Sequence, residues 1–164
     1  MDKTNLPVLM QNLEHSLPSV RWAAASLIGH VRVKEAVPAL AAALGDPDPA
    51  VALAAARSLT DFGMPSLPAA AARIEKGSPQ EVILGSYILA RLWKSARHSP
   101  RVDKTIDIEA VSNRLLDLMQ DPEQGFAVQQ AAYCASENIK GETFRDPEFF
   151  LSELPGRPTQ PEEE

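Results

Sequence analysis

Cysteine is nearly missing from this chain. Cys134 is the single one in 164 residues, which excludes an internal disulfide and any multi-cysteine metal site within one chain. Aromatics are scarce as well, with five Phe, two Trp and two Tyr. Strand formers are outnumbered by 24 alanines and 18 leucines, the residues that head the helix-propensity ranking. All eight glycines stand alone, so a glycine-rich phosphate loop is missing. No apolar run approaches the roughly 18 to 20 residues needed to cross a bilayer. The opening MDKTNLPVL lacks the apolar stretch of a secretory signal. The length suits one domain with a real core. These absences predict an all-α, cytoplasmic protein that does not associate with a membrane.

Positive charge is in short supply too, the net being −6. Its placement matters more than its size. Residues 141–164 hold seven acids and two bases, a net of −5, which leaves −1 for residues 1–140. The acidity belongs mostly to the tail, and nothing in it favours nucleic acid as a partner.

What the chain has is a repeat. At an offset of 31, Leu9 falls on Leu40, Leu13 on Leu44, Pro7 on Pro38, Pro18 on Pro49, Val20 on Val51, and Ala23 to Ala25 on Ala54 to Ala56. The same shift carries Val51 to Val82 and Phe62 to Trp93. A fourth copy aligns Asp121-Pro122 with Asp46-Pro47, and Val128, Ala131 and Ala132 with Val51, Ala54 and Ala55. Each unit reads as helix, turn, helix. In the second, Val37, Leu40 and Leu44 keep helical spacing, with Pro38 tolerated in the first turn. Asp46-Pro-Asp-Pro49 ends that helix. Asp48 is the expected N-cap of the next, with Pro49 at its first position. Val51, Ala55, Leu59 and Phe62 form its apolar face, and Gly63 stops it. The alanines let neighbouring helices approach closely, and stacked pairs bury what one pair cannot.

The run Ala36-Val-Pro-Ala-Leu40, Gly45-Asp-Pro-Asp-Pro49, Ala50-Val51, Ala54-Ala-Ala56, Ser58-Leu59, Phe62-Gly63 resembles the short HEAT-like repeat found in bilin lyases. Unit one matches it through Val20-Arg-Trp-Ala-Ala-Ala25 and Ile28-Gly29, and the likeness spans roughly residues 5–140. The resemblance implies a right-handed α-solenoid, a superhelix of about four helix pairs, with units at 5–32, 36–63, 65–94 and 107–140. Two segments lie outside the pattern. Residues 95–107 lengthen one connection. Residues 141–164 combine an apolar cluster (Phe144, Phe149, Phe150, Leu151) that could cap the last pair with an acidic stretch in which disorder is expected beyond Pro155.

Proteins with such repeats include lyases, metal-dependent hydroxylases, DNA glycosylase relatives and plain binding scaffolds, so the site must decide. His15, His30 and His98 lie in three separate places. The hydroxylases carry His-Glu dipeptides on successive helices, whereas this chain has only the reversed Glu14-His15 once, so neither metal nor cofactor is expected. Cys134 reads as a small buried hydrophobe, since a nucleophile needs a neighbouring base and none is apparent. Arg91, Lys94, Arg97, Arg101 and Lys104 form a basic connection. Three readings stand for it: a solvated loop, a contact for an acidic protein, or, least favoured, a nucleic-acid contact.

One column is apolar where this repeat class carries polar groove residues: Trp22, Leu53 and Leu84, followed by Gln130. One turn later come Ser26, Arg57, Ile88 and Cys134. Two readings of this column remain open. Either it is an exposed contact stripe, joined by Tyr87 and Tyr133 as interface anchors, or the side chains are core. The first predicts a non-catalytic scaffold that holds a segment of another protein, with Trp22, Leu53, Leu84, Tyr87 and Ile88 as anchors and Arg57 and Arg91 setting orientation. The alternative implied by the resemblance is a lyase-like enzyme, or its subunit, holding a tetrapyrrole. A monomer or weak homodimer is expected, because an uncapped first pair could self-associate.

Overall fold

The computed structural model describes residues 5–96 and 106–141. They form eight α-helices: α1 (Leu6–Asn12), α2 (Pro18–Val31), α3 (Val37–Ala42), α4 (Pro49–Phe62), α5 (Leu67–Lys76), α6 (Pro79–Ala96), α7 (Ile108–Gln120) and α8 (Phe126–Lys140). Three single turns of 3-10 helix, at Lys34–Ala36, Ala43–Gly45 and Met64–Ser66, adjoin α3 and α5. Strands are absent among the described residues.

Proline sets where the helices begin. Pro7, Pro18, Pro38, Pro49 and Pro68 occupy the first turn of α1 to α5, and Pro79 opens α6. There the missing N–H has no intrahelical partner to lose, and the fixed φ suits the helix. Asp48 caps α4 as its sequence predicts, its carboxylate accepting from the Ala50 N–H at 2.9 Å and the Val51 N–H at 3.4 Å. Gly63 ends α4 at φ 69° and ψ −137°, a conformation that favours glycine over any residue with a Cβ. α6 begins with a device that the repeat pattern does not announce. In Ser78-Pro79-Gln80-Glu81, the Ser78 N–H donates to Glu81 Oε2 at 2.8 Å and the Glu81 N–H to Ser78 Oγ at 3.5 Å, a reciprocal capping box.

The helices pack in two layers. Each even-numbered helix lies against the odd-numbered helix before it, and α2, α4, α6 and α8 stack one on the next, as do α3, α5 and α7. Between the layers, Ile28, Leu40, Leu44, Leu59, Leu67, Ile74 and Leu115 are wholly buried. Alanines supply the close contacts: Ala25, Ala55, Ala56, Ala70, Ala90, Ala131 and Ala132 are all fully enclosed. The tightest approach is at Gly29 of α2, where a Cβ would stand 2.7 Å from the Ser58 Cβ and 3.0 Å from the Ser58 Cα of α4. Trp93 ties α6 to α8, its indole N–H donating to the Ile139 carbonyl at 3.2 Å.

The helix-joining turns are tied to one another by polar side chains. Arg21 grips the Asp46 carboxylate with two N–H groups, at 2.7 and 2.9 Å, and donates to the carbonyls of His15 at 2.8 Å and Ser16 at 3.1 Å. Asp46 in turn accepts from the Asp48 N–H at 2.9 Å, and Gln80 from α6 donates to the carbonyls of Leu44 and Asp46 at 3.0 and 2.9 Å. One fork of Arg21 therefore connects the α1–α2 turn to the α3–α4 turn, and Gln80 connects that turn to α6. Asp121 repeats the local part of the motif, accepting from the Glu123 N–H at 2.9 Å.

Burial pushes the Asp46 carboxyl up, but the Arg21 guanidinium and the Asp48 N–H outweigh it and hold the group below its ordinary value. A depressed carboxylate stabilises the fold above its unfolded pKa, about 3.9 for Asp. That contribution is lost as pH falls through the lower, folded value. Asp46→Asn is accordingly expected to lower the thermal midpoint at neutral pH, with the gap to wild type closing on acidification below about pH 3.9. Thermal unfolding followed by circular dichroism across that range checks it, and a gap independent of pH refutes it.

Candidate functional site

α2 and α4 run side by side, and the valley between them is open. α2 contributes the ridge Trp22, Ser26, His30, at i, i+4 and i+8. Opposite stand Ala50, Leu53, Ala54, Arg57, Ser58 and Asp61 of α4. Together they line a shallow groove of about 240 Å³. With 1.5 Å of rise per residue, Trp22 and His30 lie about 12 Å apart along it.

The groove is graded in polarity. At the end nearer the helix N-termini, the Trp22 indole, 50% exposed, faces Ala50, Leu53 and Ala54. At the other end stand His30, Arg57 and Asp61. The floor is held by Ser58, whose hydroxyl donates to the Ala25 carbonyl at 2.9 Å and so stitches α4 to α2. An exposed tryptophan on an alanine–leucine floor, with ionic groups a short span away, can take one or two apolar side chains of an extended segment and hydrogen-bond its backbone. Among the described residues, no three or more His, Cys, Asp or Glu side chains come together as a metal-binding group.

The structure divides the apolar column foreseen from sequence. Trp22, Leu53 and Arg57 meet in the groove, with Ser26 between them. Leu84, Tyr87 and Ile88 do not belong to an exposed stripe: they are 0%, 2% and 0% exposed. Every residue of α6 from Val82 to Ala90 is buried. The physical reason is position and composition. α6 is 18 residues long against 14 for α2 and α4, lies between α4 and α8 with α5 behind it, and presents large apolar side chains on all sides. Burying each Leu or Ile is worth about 1.5–3 kcal/mol over leaving it in water. For these three residues the core reading holds.

Arg91 and Lys94 are exposed near the end of α6, and Tyr133 is half-buried on α8. None of them lines the groove. Arg97, Arg101 and Lys104 lie outside the described residues, as do His98 and the segment 142–164 with its apolar cluster. Cys134 is buried, 6% exposed. His30 and Asp61 were missed by the sequence reading, although each lies one turn beyond a residue already in the column, His30 after Ser26 and Asp61 after Arg57. Extending the ridge by four residues would have found both.

A second depression, of about 470 Å³, separates α1 from α3, with Met10, Leu13, Ala39, Ala42 and Ala43 on its walls and Glu14 and Asp46 at its edge. It lacks an exposed aromatic, and the Asp46 carboxylate there is already engaged by Arg21.

None of the described helices is long and apolar enough to cross a membrane. No curated protein matches the chain. The family model for HEAT repeats matches residues 6–87, half of the chain, and takes in α1 to α5 and the first half of α6. Helix pairs stacked in two layers, proline-started helices and alanine-lined contacts are the features that such a repeat builds, and the chain belongs to the HEAT-repeat family.

Proposed function

We propose that this protein is a non-catalytic interaction scaffold whose four helix pairs wind into a right-handed superhelix, with the α2–α4 groove holding an extended segment of a partner protein. The observation that carries this reading is the half-exposed Trp22 beside Leu53 and alanines at one end of the groove, with Arg57, His30 and Asp61 at the other. Tryptophan and arginine are the residues most enriched among interface hot spots. HEAT repeats present extended binding surfaces of this sort. Trp22 and Leu53 supply apolar anchoring and Arg57 orients the bound segment. Arg91, Lys94 and Tyr133 would extend the contact beyond the groove, and Arg97, Arg101 and Lys104 would form a secondary basic contact for an acidic stretch of the same partner.

The test uses the two tryptophans, since Trp93 is enclosed and Trp22 is not. A bound segment is expected to shift Trp22 emission to the blue and shield it from a soluble quencher. Trp22→Ala and Arg57→Glu should each weaken partner binding by roughly tenfold or more, the effect of removing a hot spot, with helical circular dichroism unchanged. Unchanged affinity in both variants would refute the groove as the binding site.

A further inference from the structure

Leu84 and Ile88 occupy on α6 the positions that line the open groove on α2 and α4. In steps of 31 residues, Trp22 and Leu53 lead to Leu84, and Ser26 and Arg57 lead to Ile88. Trp22 is half-exposed and Arg57 is exposed, whereas Leu84 and Ile88 are wholly enclosed. Cys134, the counterpart of Ile88 on α8, is buried as well. The run of buried residues from Val82 to Ala90 makes about two and a half turns, so α6 is covered on every side. Three of those sides are accounted for. Gly85 abuts Ala70 and Ile74 of α5. Ala90 accepts from Asn138 and Trp93 donates to Ile139, both on α8. α4 packs on α6 from the preceding repeat. The fourth side is the one that Leu84 and Ile88 share with the groove. Among the described residues, no further helix makes more than marginal contact with α6.

The cover must then come from elsewhere in the chain, and composition separates the stretches available. Residues 1–4 precede α1, in the opposite layer. Residues 97–105 hold a single aliphatic side chain, Val102, among Arg97, Arg101, Asp103 and Lys104. Residues 142–151 bring Phe144, Phe149, Phe150 and Leu151, with three acids to one base. Arg57 and Arg91, opposite in sign, border the covered pair, and Asp61 lies one turn farther along α4. The segment also starts in the right place. The bonds from Asn138 and Trp93 set the end of α8 beside the last turns of α6. Gly141 ends α8 at φ 75°, a left-handed stop that turns the chain off the helix axis. From there Leu84 lies about 14 Å back along α6 and one helix, about 8–10 Å, across. Eight extended residues, Gly141 to Phe149, reach about 26 Å.

We propose that residues 142–151 fold back across the inner face of α6 in the same chain, seating Phe149 and Phe150 on Leu84 and Ile88. The chain thereby fills its own inner face there and confines the open groove to α2 and α4. This assignment stands whether or not that groove takes a partner.

Thiol labelling in a Cys134→Ser background tests it. Ile88→Cys is expected to react slowly with a soluble thiol reagent, and adding Phe149→Asp and Phe150→Asp should raise its rate more than tenfold with helical circular dichroism retained. His30→Cys, in the open groove, should label fast in both chains. Cross-linking supplies a measurement that does not need the aspartates to be tolerated. On mild oxidation, Ile88→Cys combined with Phe149→Cys or with Phe150→Cys should form a disulfide within one chain, and His30→Cys with either should not. Fast labelling of Ile88→Cys in the otherwise unaltered chain overturns the proposal, as does protection that survives both aspartates. Release of Ile88→Cys by Val102→Asp instead would assign the cover to residues 97–105. Disulfides that join only separate chains, or none with either phenylalanine position, would equally refute it.

Discussion

Leu84→Ala is expected to destabilise the fold by about 2–5 kcal/mol, the range for deleting a fully buried leucine and leaving a cavity. Trp22→Ala, in the equivalent position two repeats earlier, is expected to cost no more than about 1 kcal/mol, since a side chain 50% exposed leaves little behind when it is truncated. Urea unfolding followed by circular dichroism measures both, and the midpoint should move while the slope with denaturant stays constant. The contrast is the point of the experiment. By spacing alone the two residues are copies of one another. By environment one belongs to α6, enclosed between α4, α5 and α8, and the other to a helix with an open flank. Equal and small losses would place Leu84 on a surface and restore a continuous apolar stripe. A large loss at Trp22 would mean that its indole is structural, and would remove it as an anchor for a partner.

That pair also shows what the sequence could and could not reveal. The helices were legible because their determinants are local. Pro18 and Pro49 open α2 and α4, Asp48 caps α4 through its own carboxylate, and Gly63 ends it at a positive φ. Each of these acts within a turn of its own position, so spacing is enough to find it. The recurrence of Val20, Ala23, Ala24 and Ala25 at Val51, Ala54, Ala55 and Ala56 was legible for the same reason. Periodicity says which residues are equivalent, but it is silent about what covers them. Leu53 and Leu84 share a column, yet their burial depends on neighbours contributed from distant parts of the chain. The Arg21–Asp46 clamp was invisible for a related reason. Its partners are 25 residues apart, and the contact exists only once α2 has stacked on α4. Four of the nine groove residues were found, Trp22, Ser26, Leu53 and Arg57, because they follow the helix ridges. His30 and Asp61 complete those ridges and were within reach of the same rule.

Gly29→Ala is the second substitution expected to have a large effect, and it tests what sets the width of the groove. The added methyl carbon would sit 2.7 Å from the Ser58 Cβ and 3.0 Å from its Cα, closer than packed carbons tolerate, and the latter is backbone that cannot swing aside. α2 must then move away from α4, breaking the Ser58 Oγ bond to the Ala25 carbonyl, which measures 2.9 Å. Overpacking of a close-fitted contact costs about 1–3 kcal/mol. Ser58→Gly removes the hydroxyl and the Cβ that the new methyl would meet, so the double variant Gly29→Ala/Ser58→Gly should lose less than the sum of the two single losses. Because glycine inside a helix itself costs about 1 kcal/mol, the comparison must be made as a full double-mutant cycle. Additive losses would show that the two residues do not meet. The groove offers a second readout of the same displacement. Trp22, Ser26, Ala54 and Ser58 share its walls, so separating α2 from α4 must widen it. Gly29→Ala should therefore increase quenching of Trp22 by a soluble quencher, and Ser58→Gly in the same chain should return it toward the wild-type value. Stability and fluorescence thus report one movement through two observables, and a loss of stability with unchanged Trp22 quenching would separate the packing of α2 on α4 from the shape of the groove.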